Sequence, residues 1–72
     1  MKLDRITHDS NVMGGRAWIR GMRVPVSVVL GVLADGATAA EIIAEYPYLD
    51  LADIRQCLAY GAALARDEVI PS

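Results

Sequence analysis

The stretch Met13-Gly14-Gly15-Arg16-Ala17-Trp18-Ile19-Arg20-Gly21-Met22-Arg23-Val24-Pro25-Val26 decides how the rest of the chain is read. It holds three of the six glycines, three of the seven basic residues and the only Trp, a density that mere connection does not need. Gly14 and Gly15 permit positive φ, which a residue with a side chain enters only at a cost. Arg16 to Ile19 predicts a short extended run, Arg20-Gly21-Met22 a turn, and Arg23-Val24 the returning strand. Pro25 cannot donate to a ladder and its φ is preset for a helix start, so the hairpin hands over to a helix there. Arg16, Arg20 and Arg23 then sit around one turn and project together, with Gly14, Gly15 and Gly21 as the turn residues.

Beyond Pro25 the signals are helical. Helix 1 is expected from about Val26 to Asp35, with Gly36 as its left-handed cap. It is apolar on more than one face, so it must be covered on more than one side. Helix 2 opens with the capping box Thr38-Ala39-Ala40-Glu41 and ends near Tyr46, because the residue before Pro47 disfavours the α region. Asp50 caps helix 3, expected over Leu51 to Ala65, with Asp53 in its first turn where the dipole favours an anion. Leu51, Ile54, Leu58, Gly61 or Ala62, and Ala65 fall at helical spacing as its core stripe. Gly61-Ala62-Ala63 leaves room for another helix to come close. Before the hairpin, Arg5-Ile6-Thr7 reads as a short edge strand. His8 reads as a solvated loop residue, since no second ligand or nucleophile joins it. Cys57 reads as core.

These elements make one mainly α domain: an extended or hairpin arm over 1–24, a three-helix core over 25–66 and a tail over 67–72. A chain of 72 residues has few interior positions, yet 54% of it is hydrophobic. The surplus is expected at an interface, through Val29, Val32, Leu33, Tyr60 and Leu64, in a homodimer or a tight complex. One Cys and one His exclude an internal disulfide and argue against a structural zinc site. That fits a reducing cytoplasm. The charged N-terminus does not read as a signal peptide, and the apolar run Val28 to Ala34 is too short to span a bilayer, so no membrane role is expected.

The net charge of −2 hides an asymmetry. Residues 1–23 carry five cations against two acids, a net +3; residues 24–72 carry two against seven, a net −5. A polyanion or an acidic active site would be met by the N-terminal third. Catalysis has no support: no nucleophile–His pair, no paired carboxylates at a cleft-like spacing and no Gly-rich phosphate loop followed by Lys-Ser/Thr. No cofactor and no small-molecule substrate are expected. Helix 2, the turn and helix 3 invite a helix-turn-helix reading, but Asp50 and Asp53 oppose Arg55 and Gln56 at the start of the would-be recognition helix. Arg16, Arg20 and Arg23 are therefore the first choice for nucleic acid, with Arg55 and Gln56 second.

Ile6, Met13-Gly14-Gly15, Ile19-Arg20-Gly21, Arg23-Val24-Pro25-Val26, Gly36, Glu41-Ile42, Tyr46-Pro47, Leu49, Asp53-Ile54 and Ala59-Tyr60 together resemble the signature of the domain-of-unknown-function 433 family. These small bacterial proteins are also described as VapB-type antitoxin-like. The resemblance runs from about Ile6 to Leu64. Two positions depart from the pattern: Met22 and Asp50 each stand where the family commonly has Thr. Asp50 keeps the capping chemistry, whereas Met22 loses a hydroxyl at the tip of the turn. The resemblance implies a homeodomain-like helical core behind a small β hairpin. It also implies an antitoxin that neutralises a PIN-like ribonuclease toxin and autoregulates its operon by binding DNA. The alternative is a DNA-binding or structural homodimer with no toxin.

Overall fold

A computed structural model describes residues 3–9, 16–22 and 24–66. Two short strands, β1 (Ile6–Asp9) and β2 (Arg16–Ile19), form an antiparallel pair. Three helices follow: α1 (Val26–Ala34), α2 (Ala39–Glu45) and α3 (Leu51–Ala65). The register sets Ile6 opposite Ile19, Thr7 opposite Trp18 and His8 opposite Ala17. Side chains alternate across a strand, so Ile6, His8, Ala17 and Ile19 share the face turned to the helices. Ile6, Ala17 and Ile19 are buried there, and His8 is half-buried.

This pairing corrects two expectations. The segment 16–19 forms its ladder with the N-terminal strand, and its link to the returning segment is confined, among the described residues, to Val24 and Pro25. The chain does turn back after Ile19: the Met22 N–H donates to the Ile19 carbonyl at 3.0 Å, and Gly21 holds φ of 73°. The Ile19 N–H then reaches the Val24 carbonyl at 3.0 Å, and Trp18 makes a lone bridge with Pro25. Pro25 has no N–H to offer, so no ladder grows from that contact. His8 is likewise no loop residue. It lies on the inner face of β1, its ring centroid 6.0 Å from that of Tyr60.

The helices begin and end where local chemistry directs. At the end of α1, the Gly36 N–H donates to the Leu33 carbonyl and the Ala37 N–H to the Val32 carbonyl, both at 3.0 Å. This is a Schellman closure, with Gly36 at φ of 100°. At the start of α2, the Glu41 N–H donates to Thr38 Oγ1 at 3.1 Å, and the Thr38 N–H donates to Glu41 Oε1 at 2.9 Å. The helix stops before Pro47, and the Leu49 N–H bonds the Tyr46 carbonyl at 2.9 Å to close the turn. Leu49, 3% exposed, plugs the core beneath.

The core gathers Ile19, Val26, Val29, Ile42, Ile54, Cys57 and Tyr60 from β2 and all three helices. Burying each large aliphatic among them contributes roughly 1.5–3 kcal/mol before the cost of ordering the chain. At the α1–α3 crossing Leu30 presses on Gly61, where a Cβ would come within 3.1 Å of Leu30 Cδ1. The close approach expected at Gly61 is therefore used inside the chain, by α1. The stripe of α3 that faces inward is only partly the one expected: Ile54 is buried and Gly61 meets Leu30, as that stripe requires. Asp53, Ile54, Gln56, Cys57 and Tyr60 are buried, whereas Leu51 and Leu58 are 45% and 49% exposed. Two polar residues turn in and two leucines turn out because the inward polar groups have partners from the start of the chain.

Candidate functional site

Those partners are Asp4 and Arg5. Arg5 Nη1 lies 3.1 Å from Asp50 Oδ2 and 3.1 Å from Asp53 Oδ1. The Arg5 backbone N–H donates to Gln56 Oε1 at 2.8 Å, and Gln56 Nε2 donates to Asp4 Oδ1 at 2.6 Å. On the other side of the same residue, the Arg20 N–H donates to the Arg5 carbonyl at 2.7 Å. Arg5 thus ties the turn after β2 to the first two turns of α3. Asp53, 2% exposed, also accepts from the Asp50 N–H at 2.9 Å, and the Asp53 N–H donates to Asp50 Oδ1 at 3.0 Å. The buried carboxylate is satisfied by a charge and a backbone donor together, which is what lets it stay inside.

The electrostatics follow from these contacts. The Asp53 backbone N–H, helped by the Arg5 guanidinium, holds the Asp50 carboxyl below the ordinary carboxylate range. Arg5 is raised, first by its hydrogen bond to Asp53 and then by the charge of Asp50. The Thr38 N–H lowers Glu41 in the same way. Burial, and then the Asp53 charge, push the Cys57 thiol up to about 11.

The residues singled out from sequence separate into three groups. Gly14, Gly15 and Arg23 lie outside the described residues, as does the side chain of Arg16. Arg20 is exposed beside Gly21, on a turn fixed by the hydrogen bonds given above. Arg55 is exposed on α3, but Gln56 is 9% exposed and spends its amide on Asp4 and Arg5. Among the expected interface residues, Val29 and Tyr60 are sealed in the chain's own core at 1% and 4% exposure. Val32 and Leu33 are half-buried, and Leu64 is 45% exposed. Sequence reasoning missed Asp4 and Arg5, whose only local signal is a charge pair preceding a strand. Among the described residues, no three metal-ligating side chains come together, and no helix is long and apolar enough to cross a membrane.

A family model described as "Protein of unknown function (DUF433)" matches residues 6–61. The chain belongs to the domain-of-unknown-function 433 family. No curated protein and no solved structure matches it. The matched span begins with β1 and ends at Gly61, the contact point for Leu30. The family's signature therefore covers the strand pair, all of α1 and α2, and α3 as far as that crossing. Asp4 and Arg5 precede the match, while Asp50, Asp53 and Gln56, which they hold, lie within it.

Proposed function

We propose that this domain-of-unknown-function 433 protein is an antitoxin-like binding protein that neutralises a PIN-like ribonuclease. What supports the reading on this molecule is Arg20. It is an exposed cation on a turn braced by Gly21 and by the Arg20–Arg5 backbone bond, in the only third of the chain with net positive charge. A guanidinium presented this way is suited to enter a cluster of carboxylates, make charge-assisted hydrogen bonds there and compete with metal and RNA phosphate. The outward flank of α1, with Val28 at 38% exposure and Val32 and Leu33 half-buried, supplies apolar area nearby in the chain to anchor the contact. The partner's identity comes from the family resemblance.

The reading extends to autoregulation by DNA binding. Gln56 is committed internally, so Arg20 stands ahead of Arg55 as the contact to phosphate. The competing reading is a DNA-binding or structural homodimer with no toxin.

Co-expression with the product of the adjacent reading frame tests the proposal. A co-purifying complex and rescue of growth are expected. Arg20→Glu should abolish rescue while leaving the helical circular dichroism intact, because an acid facing acids is repelled without compensation. A non-toxic or non-binding neighbour would overturn the antitoxin reading. Rescue that survives Arg20→Glu would remove the turn from the mechanism.

A further inference from the structure

Arg5 and Arg20 are the next pair of positions beyond Ile6 and Ile19 in the β1–β2 register. The Ile19 N–H turns away to the Val24 carbonyl, so the alternation of an antiparallel ladder calls for two N–H···O bonds between Arg5 and Arg20. One of them runs across the pair, from the Arg20 N–H to the Arg5 carbonyl at 2.7 Å. The other donor, the Arg5 N–H, goes to Gln56 Oε1 at 2.8 Å. Half of this last rung is given to α3, and the turn that carries Arg20 is thereby set against that helix as well as against the arm. We propose that Arg5, Asp53 and Gln56 are positioning residues for Arg20, holding its turn in the geometry in which the guanidinium meets a partner's carboxylates. What Arg20 meets rests on the antitoxin reading; how its turn is held is a property of this chain alone.

The shape of the turn is local, and its direction is not. The Met22 N–H bond to the Ile19 carbonyl and the positive φ of Gly21 place Arg20 at the second position of a β-turn. A two-stranded pair is marginal in water by itself, so its tip points where its docking sends it. Arg5 is gripped at both ends. Gln56 holds its main chain and is itself held by Asp4 Oδ1 at 2.6 Å, while Asp50 and Asp53 each take Arg5 Nη1 at 3.1 Å. The anchors are buried, with Asp53 at 2% and Gln56 at 9% exposure, whereas Arg20 is exposed. Two hydrogen bonds through one residue lead from Gln56 to the Arg20 peptide. Charge supports the same arrangement. Like charges directly opposite destabilise a strand pair. Asp50 and Asp53 meet the Arg5 charge, so Arg20 is not opposed by an unpaired cation.

A turn held before encounter loses less freedom when it binds. Each backbone residue that must instead be ordered on binding weakens the contact roughly ten-fold. The clasp therefore acts on affinity without touching the partner.

The test uses the full chain and two breaks of different severity. Gln56→Met removes the acceptor for the Arg5 N–H and keeps the side-chain length. Asp53→Asn is milder, keeping the shape and an acceptor for the Asp50 N–H while losing the charge. Thr38→Ala, in the α2 box, is the control for stability lost without the clasp. Amide exchange at Arg20 should run about ten-fold faster in both breaks. Met22, whose bond lies within the turn, and the core positions Ile54 and Cys57 should change far less. In Thr38→Ala, Arg20 should move only in step with the rest. Titration calorimetry against the purified product of the adjacent reading frame supplies the second readout. Gln56→Met should weaken binding about ten-fold in the native background and about two-fold or less when Arg20 is already Ala, because a positioning residue acts only through the group it positions. Equal losses in the two backgrounds, or Arg20 exchange unchanged in both breaks, would overturn the proposal. A neighbour that does not bind the wild-type chain would overturn the antitoxin reading, and the amide result would still decide whether the clasp sets the turn.

Discussion

At the start of α2, Thr38 and Glu41 close a capping box on an exposed surface, two residues three apart that satisfy each other. At the start of α3, Asp50 and Asp53 close a box of the same design, but Asp53 is buried and both acids also hold Arg5, more than forty residues earlier. One box sets where a helix begins. The other sets where a helix begins and where the β arm docks. The two boxes differ at both positions: Asp50 stands where the other has Thr38, and Asp53 where it has Glu41. Glu41 has the length to curl back while remaining in water, whereas the shorter Asp53 keeps its carboxylate against the helix, where Arg5 can reach it.

Substitutions that sever the second box should therefore do more than those that sever the first. Asp53→Ala strips the Asp50 N–H of its acceptor and leaves Arg5 with Asp50 alone, and urea unfolding should show a loss of about 1–3 kcal/mol, the scale of leaving a donor unsatisfied. Amide exchange should rise in β1 as well as in the first turn of α3. A loss confined to α3 would break the comparison. Thr38→Ala should cost about 1 kcal/mol, the usual worth of an N-cap, with faster exchange limited to the first turn of α2.

Acid should sharpen the contrast further. Asp50 and Glu41 both titrate below their ordinary values of 3.8 and 4.5 in the folded chain. A lowered folded value means the contribution is fully present above the ordinary value and is lost as the pH falls through the folded one. Stability should hold level from about pH 5 to about pH 8, below the ordinary range of the Cys57 thiol, and decline on acidification. Glu41→Gln should remove the part of the decline that starts nearer 4.5, and Asp50→Asn the part that starts nearer 3.8. A profile unchanged by either variant would mean that the boxes carry no linkage. The smallest effect is expected at Gly61→Ala. The new Cβ meets Leu30 Cδ1 at 3.1 Å, a flexible side-chain end that can give way, and the helix gains up to about 1 kcal/mol of propensity. Thermal unfolding should move little in either direction.

What could be read from the sequence follows the same division. The Thr38–Glu41 box, the Gly36 closure, the stop before Pro47 and the cap at Asp50 are encoded within a few residues, and each is found where the sequence places it. The strand pairing and the inward face of α3 are not local. Periodicity assigns Leu51 and Leu58 to the interior and Asp53 to the dipole, because an apolar stripe is all it can count. Only the position of Arg5 and Asp4 against α3 makes Asp53 and Gln56 better interior residues than the leucines. The same contact removes Gln56 from any recognition surface. Of the candidate site, Arg20 was legible as an exposed turn cation, while Val29 and Tyr60 were apolar for the sake of the chain's own core.

The chain's sole thiol gives it a built-in clock. Cys57 has no exposed surface, and at neutral pH a thiol displaced to about 11 is almost wholly protonated, so a sulfhydryl reagent has neither access nor a thiolate to attack. Its labelling half-time in native buffer reports how often α3 lifts from the body, without any engineered probe. If Asp53→Ala and Thr38→Ala are compared on that clock, the first should run many times faster than the second. The ratio would express the difference between the two helix starts as a rate of opening.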